Sequence, residues 1–119
     1  GAGVVDYLKN LRYPVIPVNA GKSASDKDKF FNLRAEMWFR MKEWIEAGAD
    51  ILDDPELGEQ LITLEYDYTP REQVRLEKKE DMKARGLGSP DRADALGFTF
   101  AQLVSPNMTR RSNATYREF

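Results

Sequence analysis

The sequence predicts an α/β domain in which helices pack on a small residual sheet that includes a β-hairpin. Three observations carry that expectation. Residues 30–47 place apolar side chains at helical spacing, and residues 61–76 alternate weakly on either side of a Thr69-Pro70 turn. Residues 89–104 read as a further helix, with Ser89 suited to the N-cap and Pro90 to the first helical position. At 119 residues the chain fits one domain and is too short for two independent cores.

In chain order, residues 2–11 are expected as a short helix with Val4, Val5 and Leu8 on one side. Residues 13–18 are expected as a strand, and Pro14 and Pro17 confine it to an edge or leave one side of its ladder unpaired. Residues 19–29, polar and containing Gly and Ser, read as a loop. Residues 30–47 form the strongest helix, with Asp28 as candidate N-cap and Gly48 where a C′ glycine would end it. Phe30, Leu33, Met37, Met41, Trp44 and Ile45 recur three and four apart, and Phe31, Trp38 and Phe39 widen the apolar arc. These aromatics read as core packing. Residues 55–60 are expected as a short helix opened by Pro55, 61–68 as a strand, and 73–76 as its hairpin partner. A charged helix over 77–85 ends at Gly86, and residues 105–119, with Arg110, Arg111 and Arg117, are expected as a mobile basic tail.

Composition excludes whole classes of chemistry. The chain has no cysteine and no histidine. Disulfides, thiolate zinc sites, cysteine nucleophiles, Ser-His-Asp triads and histidine general bases are therefore ruled out. Catalysis would have to rest on carboxylates with a hard metal, on lysine or on hydroxyls. The net charge of −2 makes bulk electrostatic attraction to nucleic acid weak, so any phosphate contact would be a local patch. No apolar run approaches the roughly 20 residues of a membrane helix. The chain opens on Gly1 rather than Met, as expected of a piece of a longer protein.

Two apparent phosphate motifs fail. Gly21-Lys22-Ser23 resembles the end of a P-loop, but that loop needs a glycine where Ile16 stands. Gly1-Ala2-Gly3 before a helix is a weak anion signal. The informative stretch is Ser89-Pro90-Asp91-Arg92-Ala93-Asp94-Ala95-Leu96. At about 100° per residue, Ala93, Leu96, Phe100 and Val104 form a buried stripe with Gly97 and Ala101 at its margin. Asp94 falls at the edge of the buried face, and Asp91 lies about 60° further round and one turn nearer the N-terminus. Two carboxylates projecting together from the first turns of a packed helix make one wall of a divalent-metal site. The alternatives are ordinary: Asp91 complements the helix dipole, and Asp94 pairs with a basic neighbour such as Arg92 or Arg34.

The segments Asn32-Leu33-Arg34-Ala35-Glu36-Met37-Trp38-Phe39, Asp54-Pro55-Glu56-Leu57, Lys79-Glu80-Asp81-Met82 and the Ser89–Leu96 run occur in an order that resembles the nuclease domain of phage terminase large subunits, the motors that package DNA. The resemblance covers Gly1 to about Ala101. It implies an RNase H-like nuclease fold, here incomplete, whose acidic cluster binds divalent metal (Mg or Mn) and cuts concatemeric double-stranded DNA. Asp91 and Asp94 match the last acidic motif and would be the catalytic and metal-binding residues. The family's other acidic residues lie on strands ahead of this segment, so the chain alone is expected to bind metal weakly and to be inactive or nearly so. Asp6 reads as solvated or capping rather than as one of those ligands. Lys79, Lys83 and Arg92 are candidate phosphate contacts, although each also fits a solvated helix face.

By resemblance, the partners are double-stranded DNA and, through the parent, the portal protein and the small terminase subunit. No membrane role is implied, and the compartment would be the cytoplasm of the bacterial host. Apolar faces left by the absent strands would invite homodimerisation. The expected organisation is nuclease-domain sequence over 1–104 and the tail over 105–119. A non-catalytic interaction module, a prophage remnant or portal-docking piece, is the competing function.

Overall fold

A computed structural model describes residues 2–51 and 53–102. Over these the order is α1 (Ala2–Asn10), α2 (Leu33–Glu46), α3 (Pro55–Thr63), β1 (Tyr66–Tyr68), β2 (Val74–Leu76), α4 (Lys79–Ala84) and α5 (Asp91–Phe98). The expected basic tail, and Val104 of the expected apolar stripe, lie outside the described residues.

Helix α2 starts later than its apolar pattern suggests, and its cap is Asn32 rather than Asp28. Asn32 sits in extended backbone and its side chain accepts from the Ala35 N–H at 3.0 Å. The reason is tertiary. Phe30 forms a parallel bridge to Val74, and the Phe31 N–H donates to the Val74 carbonyl, so backbone that could have continued the helix is spent on the sheet. At the other end Gly48, with φ of +96°, terminates α2 as its type predicts.

Helix α3 runs to Thr63, longer than expected, at the expense of the following strand. Leu57 is buried and Leu61 and Leu64 pack beside it, so helical spacing wins over weak alternation. Asp54 caps α3 by accepting from the N–H groups of Glu56 and Leu57. Strands β1 and β2 are antiparallel, pairing Tyr66 with Leu76 and Tyr68 with Val74. The Thr69 hydroxyl accepts from the Arg71 and Gln73 N–H groups and sets the turn. β2 turns Val74 and Leu76 into the core, whereas all three residues of β1 are exposed.

Residues 13–18 are not a strand. They are irregular, and Pro14 and Pro17 remove ladder donors where no neighbouring strand among the described residues would pair with them. Among the described residues the hairpin is therefore the sheet. Helix α4 ends on Gly86 at φ +83°, where the Leu87 N–H closes on the Met82 carbonyl at 3.0 Å. Helix α5 is not capped by Ser89. Pro90 occupies the cap position, and the N–H groups of Arg92 and Ala93 are taken up by the Gln60 side-chain oxygen of α3, at 2.9 and 3.0 Å.

The core joins Phe30, Ala35, Trp38, Met41, Leu57, Val74, Leu76 and Ala93. α2 packs on both α5 and β2, and α3 on α5. Gly97, expected at the margin of α5, faces the Trp38 ring, and a Cβ there would stand 3.7 Å from it. Glu36 is buried inside this body, answered by the Ser25 hydroxyl at 2.6 Å, the Ser25 and Asp26 N–H groups, and Arg40. Helix α1 packs on none of the other elements.

Candidate functional site

The surface of interest is a hollow of about 280 Å³ lined by Ala20, Arg34, Met37, Lys79, Asp91, Asp94, Ala95 and Phe98. It draws on α2, α4 and α5, with Ala20 from the preceding loop. Ala93 and Gly97 press α5 onto α2, which turns Asp94 inward to the edge of the contact and leaves Asp91 exposed at the rim. The sequence-predicted pair is therefore brought to one hollow.

The two carboxylates differ in what surrounds them. The Asp94 side chain is only 12% exposed. Its Oδ1 accepts from the Trp38 indole N–H at 2.9 Å and lies 3.5 Å from Arg34 Nη2, and its Oδ2 lies 3.2 Å from Lys79 Nζ. Arg34 is itself held, donating to the Glu77 carbonyl at 3.1 Å and stacking over the Trp38 ring, while its Nε is buried without a partner. Asp91 makes no ion pair among the described residues. The charge-assisted bond from Trp38 is the firmest of these contacts, worth about 1.5–3 kcal/mol, because the Lys79 side chain is 47% exposed and an exposed pair contributes about 0–1 kcal/mol.

Of the candidate phosphate contacts, Lys79 is engaged with Asp94 and Arg92 with Asp54 at 2.7 Å and Glu56 at 2.9 Å. Arg92 thus ties α5 to α3, and of the two basic neighbours expected for Asp94 it is Arg34 that pairs with it, beside Lys79. Lys83 is exposed and makes no ion pair among the described residues. Sequence reading placed Trp38 in the core and missed its second role. The signal was present: Arg34 and Trp38 are four apart on α2, so both side chains reach the same patch. Gln60 carried no such signal.

A divalent metal needs several hard oxygens converging on one point. Here the donors have the right chemistry but are only two, and no group of three ligating side chains occurs among the described residues. Two cations already compensate Asp94 and would oppose a dication beside it. The described residues do not, by themselves, fit a resident metal.

Helices packed on a small antiparallel hairpin, with α5 carrying its carboxylates to a basic-lined hollow, make a mixed α/β fold consistent with part of an RNase H-like fold. The solved nuclease domain of the large terminase subunit gp2 of bacterial virus Sf6 is similar to this chain, with a TM-score of 0.50 and 18% identity over 75% of this chain and 50% of that one. A mutant of that domain, solved with manganese, gives a TM-score of 0.49 and 19% identity over 74% and 50%. The chain spans about half the length of the solved domains it matches, and the likeness is one of fold. No protein-family model matches the chain, and no curated protein matches it.

Proposed function

We propose that the chain is part of the metal-dependent endonuclease of a phage DNA-packaging terminase, supplying one wall of the acidic site from α5. The observation that carries this reading is the placement of Asp91 and Asp94 on one hollow, in a fold similar to a terminase nuclease domain. In this reading both are catalytic, metal-facing carboxylates, with Asp91 accessible and Asp94 oriented by Trp38, Arg34 and Lys79. The remaining ligands for Mg or Mn come from the half of the nuclease domain that this chain does not span. Double-stranded DNA is the substrate, and the portal protein and small terminase subunit are partners of the parent. Lys83 is the candidate phosphate contact that makes no ion pair among the described residues, and Lys79 and Arg92 join it only by exchanging their carboxylate partners.

Because the donor set is incomplete, the isolated chain is expected not to cleave DNA. The test is a Mn²⁺ titration followed by amide and indole ¹H–¹⁵N NMR on the chain and on Asp94→Asn and Asp91→Asn. Weak, millimolar broadening centred on residues 91–94 and the Trp38 indole, and reduced in both variants, supports the one-wall reading. Uniform broadening that ignores both substitutions sinks it. Cleavage by the isolated chain that is lost in Asp94→Asn would replace it with a site completed between copies. The charge compensation of Asp94 favours one competing reading, a non-catalytic interaction module. Its signature is no metal response together with portal or small-subunit binding.

A further inference from the structure

Helix α3 contributes no side chain to the wall of the hollow, yet it holds the turn that carries both carboxylates. The N-cap position of α5 is Pro90, which has no side-chain acceptor to offer. The donors that a capping side chain would take are the second and third N–H groups of the helix, here those of Arg92 and Ala93. Both go instead to the side-chain oxygen of Gln60 on α3, at 2.9 and 3.0 Å. A second tie runs the other way. Arg92 reaches Asp54 at 2.7 Å and Glu56 at 2.9 Å, and Asp54 is itself the cap of α3. The start of α5 is thus fastened twice to the start and middle of α3.

Both ties grip residues 92 and 93, which lie between Asp91 and Asp94. Successive helical residues point about 100° apart. Fixing the middle two against α3 therefore fixes the rotation at which the outer two meet the hollow. A first turn with no cap frays, and here that turn contains both carboxylates. The 2.9 Å bond from the Trp38 indole to Asp94 lasts only while that turn stays wound. We infer that Gln60 is a positioning residue for the Asp91–Asp94 pair, acting through the backbone N–H groups of Arg92 and Ala93, with Arg92 as its second tie. The catalytic meaning of the pair rests on the nuclease reading. The clamp does not, and the two are tested apart.

The test is native-state amide exchange together with the Trp38 indole ¹H–¹⁵N resonance, on the full chain without metal and on Gln60→Leu and Gln60→Glu. Leucine keeps most of the bulk and removes the acceptor, whereas glutamate keeps an acceptor oxygen at the same reach. In Gln60→Leu the Arg92 and Ala93 amides should exchange at least about fivefold faster, the factor that losing a helix cap brings. The indole resonance should move toward its position in Asp94→Ala, where its acceptor is gone. Gln60→Glu should restore both. A residue that only added stability would lower the urea midpoint and leave the native indole resonance in place, as Gly48→Ala should. Arg92→Met, at a position 55% exposed, should give the same two changes to a smaller degree, and it decides the matter if Gln60→Leu does not fold. Unchanged exchange and indole resonance in Gln60→Leu, or no recovery in Gln60→Glu, would overturn the clamp. A shifted indole in Gln60→Leu with no Mn²⁺ response in the unaltered chain would instead sink the nuclease reading, and with it the catalytic role of the pair.

Discussion

The body of this molecule and its N-terminal arm are built from similarly apolar sequence and reach opposite ends. Residues of α2 such as Met37 and Met41 are 2% and 1% exposed, whereas Val4 and Tyr7 of α1 are 62% and 63% exposed. Apolar residues at helical spacing make both helices. Only α2 finds faces to cover it: α5 on one side, through Ala93 and Gly97, and β2 on another, through Val74 and Leu76. The difference teaches that periodicity states which face wants burial, and that the presence of a facing surface decides whether burial occurs.

The largest break in this contrast should come from Trp38→Ala. It removes the ring that Gly97 packs on and the donor to Asp94, and is expected to cost about 3–5 kcal/mol in urea unfolding, close to the whole stability of a small domain. A cost below about 1 kcal/mol would mean that α5 is held mainly by the Gln60 and Arg92 contacts. Next is Glu36→Ala, expected to cost about 3 kcal/mol because it strands buried donors and leaves Arg40 without its partner.

The pH dependence of the same group sharpens the point. Burial pushes the Glu36 carboxyl up, but the Ser25 hydroxyl, the Asp26 and Ser25 N–H groups and Arg40 together outweigh it, so its pKa lies below the usual value of 4.5. A depressed folded pKa means that its stabilisation is present above the unfolded value and is lost as pH falls below it. Melts of Glu36→Gln should start from lower stability at pH 7 and show a shallower acid decline below about pH 4.5. An unchanged acid limb would remove Glu36 from the account.

A smaller effect is expected at Gly48, where φ of +96° disfavours a side chain although nothing crowds the site. Gly48→Ala should cost about 1 kcal/mol by thermal melt, and no loss would show that the end of α2 relaxes freely. The smallest belongs to the arm: Val4→Ser at low protein concentration should leave stability within about 0.5 kcal/mol of the parent by thermal melt, with α1 amides exchanging faster than those of α2. A larger loss at micromolar concentration would place α1 on the body of its own chain.

Much of the fold was legible in advance. Gly48 and Gly86 end α2 and α4 as their type predicts, and the Thr69-Pro70 turn joins the hairpin where expected. The misreadings share a cause. Residues 13–18 look like a strand, but a strand needs a neighbour. Asp28 and Ser89 are sound N-caps by residue type, but Phe30 is drawn into a bridge with Val74 and Gln60 arrives from α3 to take the α5 donors. Both capping outcomes depend on contacts between residues more than 30 positions apart, outside any local window. At the hollow, Asp91 and Asp94 were visible as a spaced pair, and Arg34 was anticipated as a partner of Asp94. Lys79 was read as a phosphate contact and Trp38 as plain core.

By itself the sequence determined the chemistry that is possible and the local periodicities. Without histidine or cysteine, only carboxylates, lysine and hydroxyls remain for catalysis, and helical spacing puts Asp91 and Asp94 near one another whatever the rest of the chain does. The tertiary structure decided their states. Packing of α5 on α2 and its approach to α4 bring an indole N–H and two cations to Asp94 while Asp91 stays in water. The physical reason is range. Spacing and side-chain type act within a turn or two of helix, whereas the charge balance of a half-buried carboxylate depends on groups that only folding brings within about 4 Å.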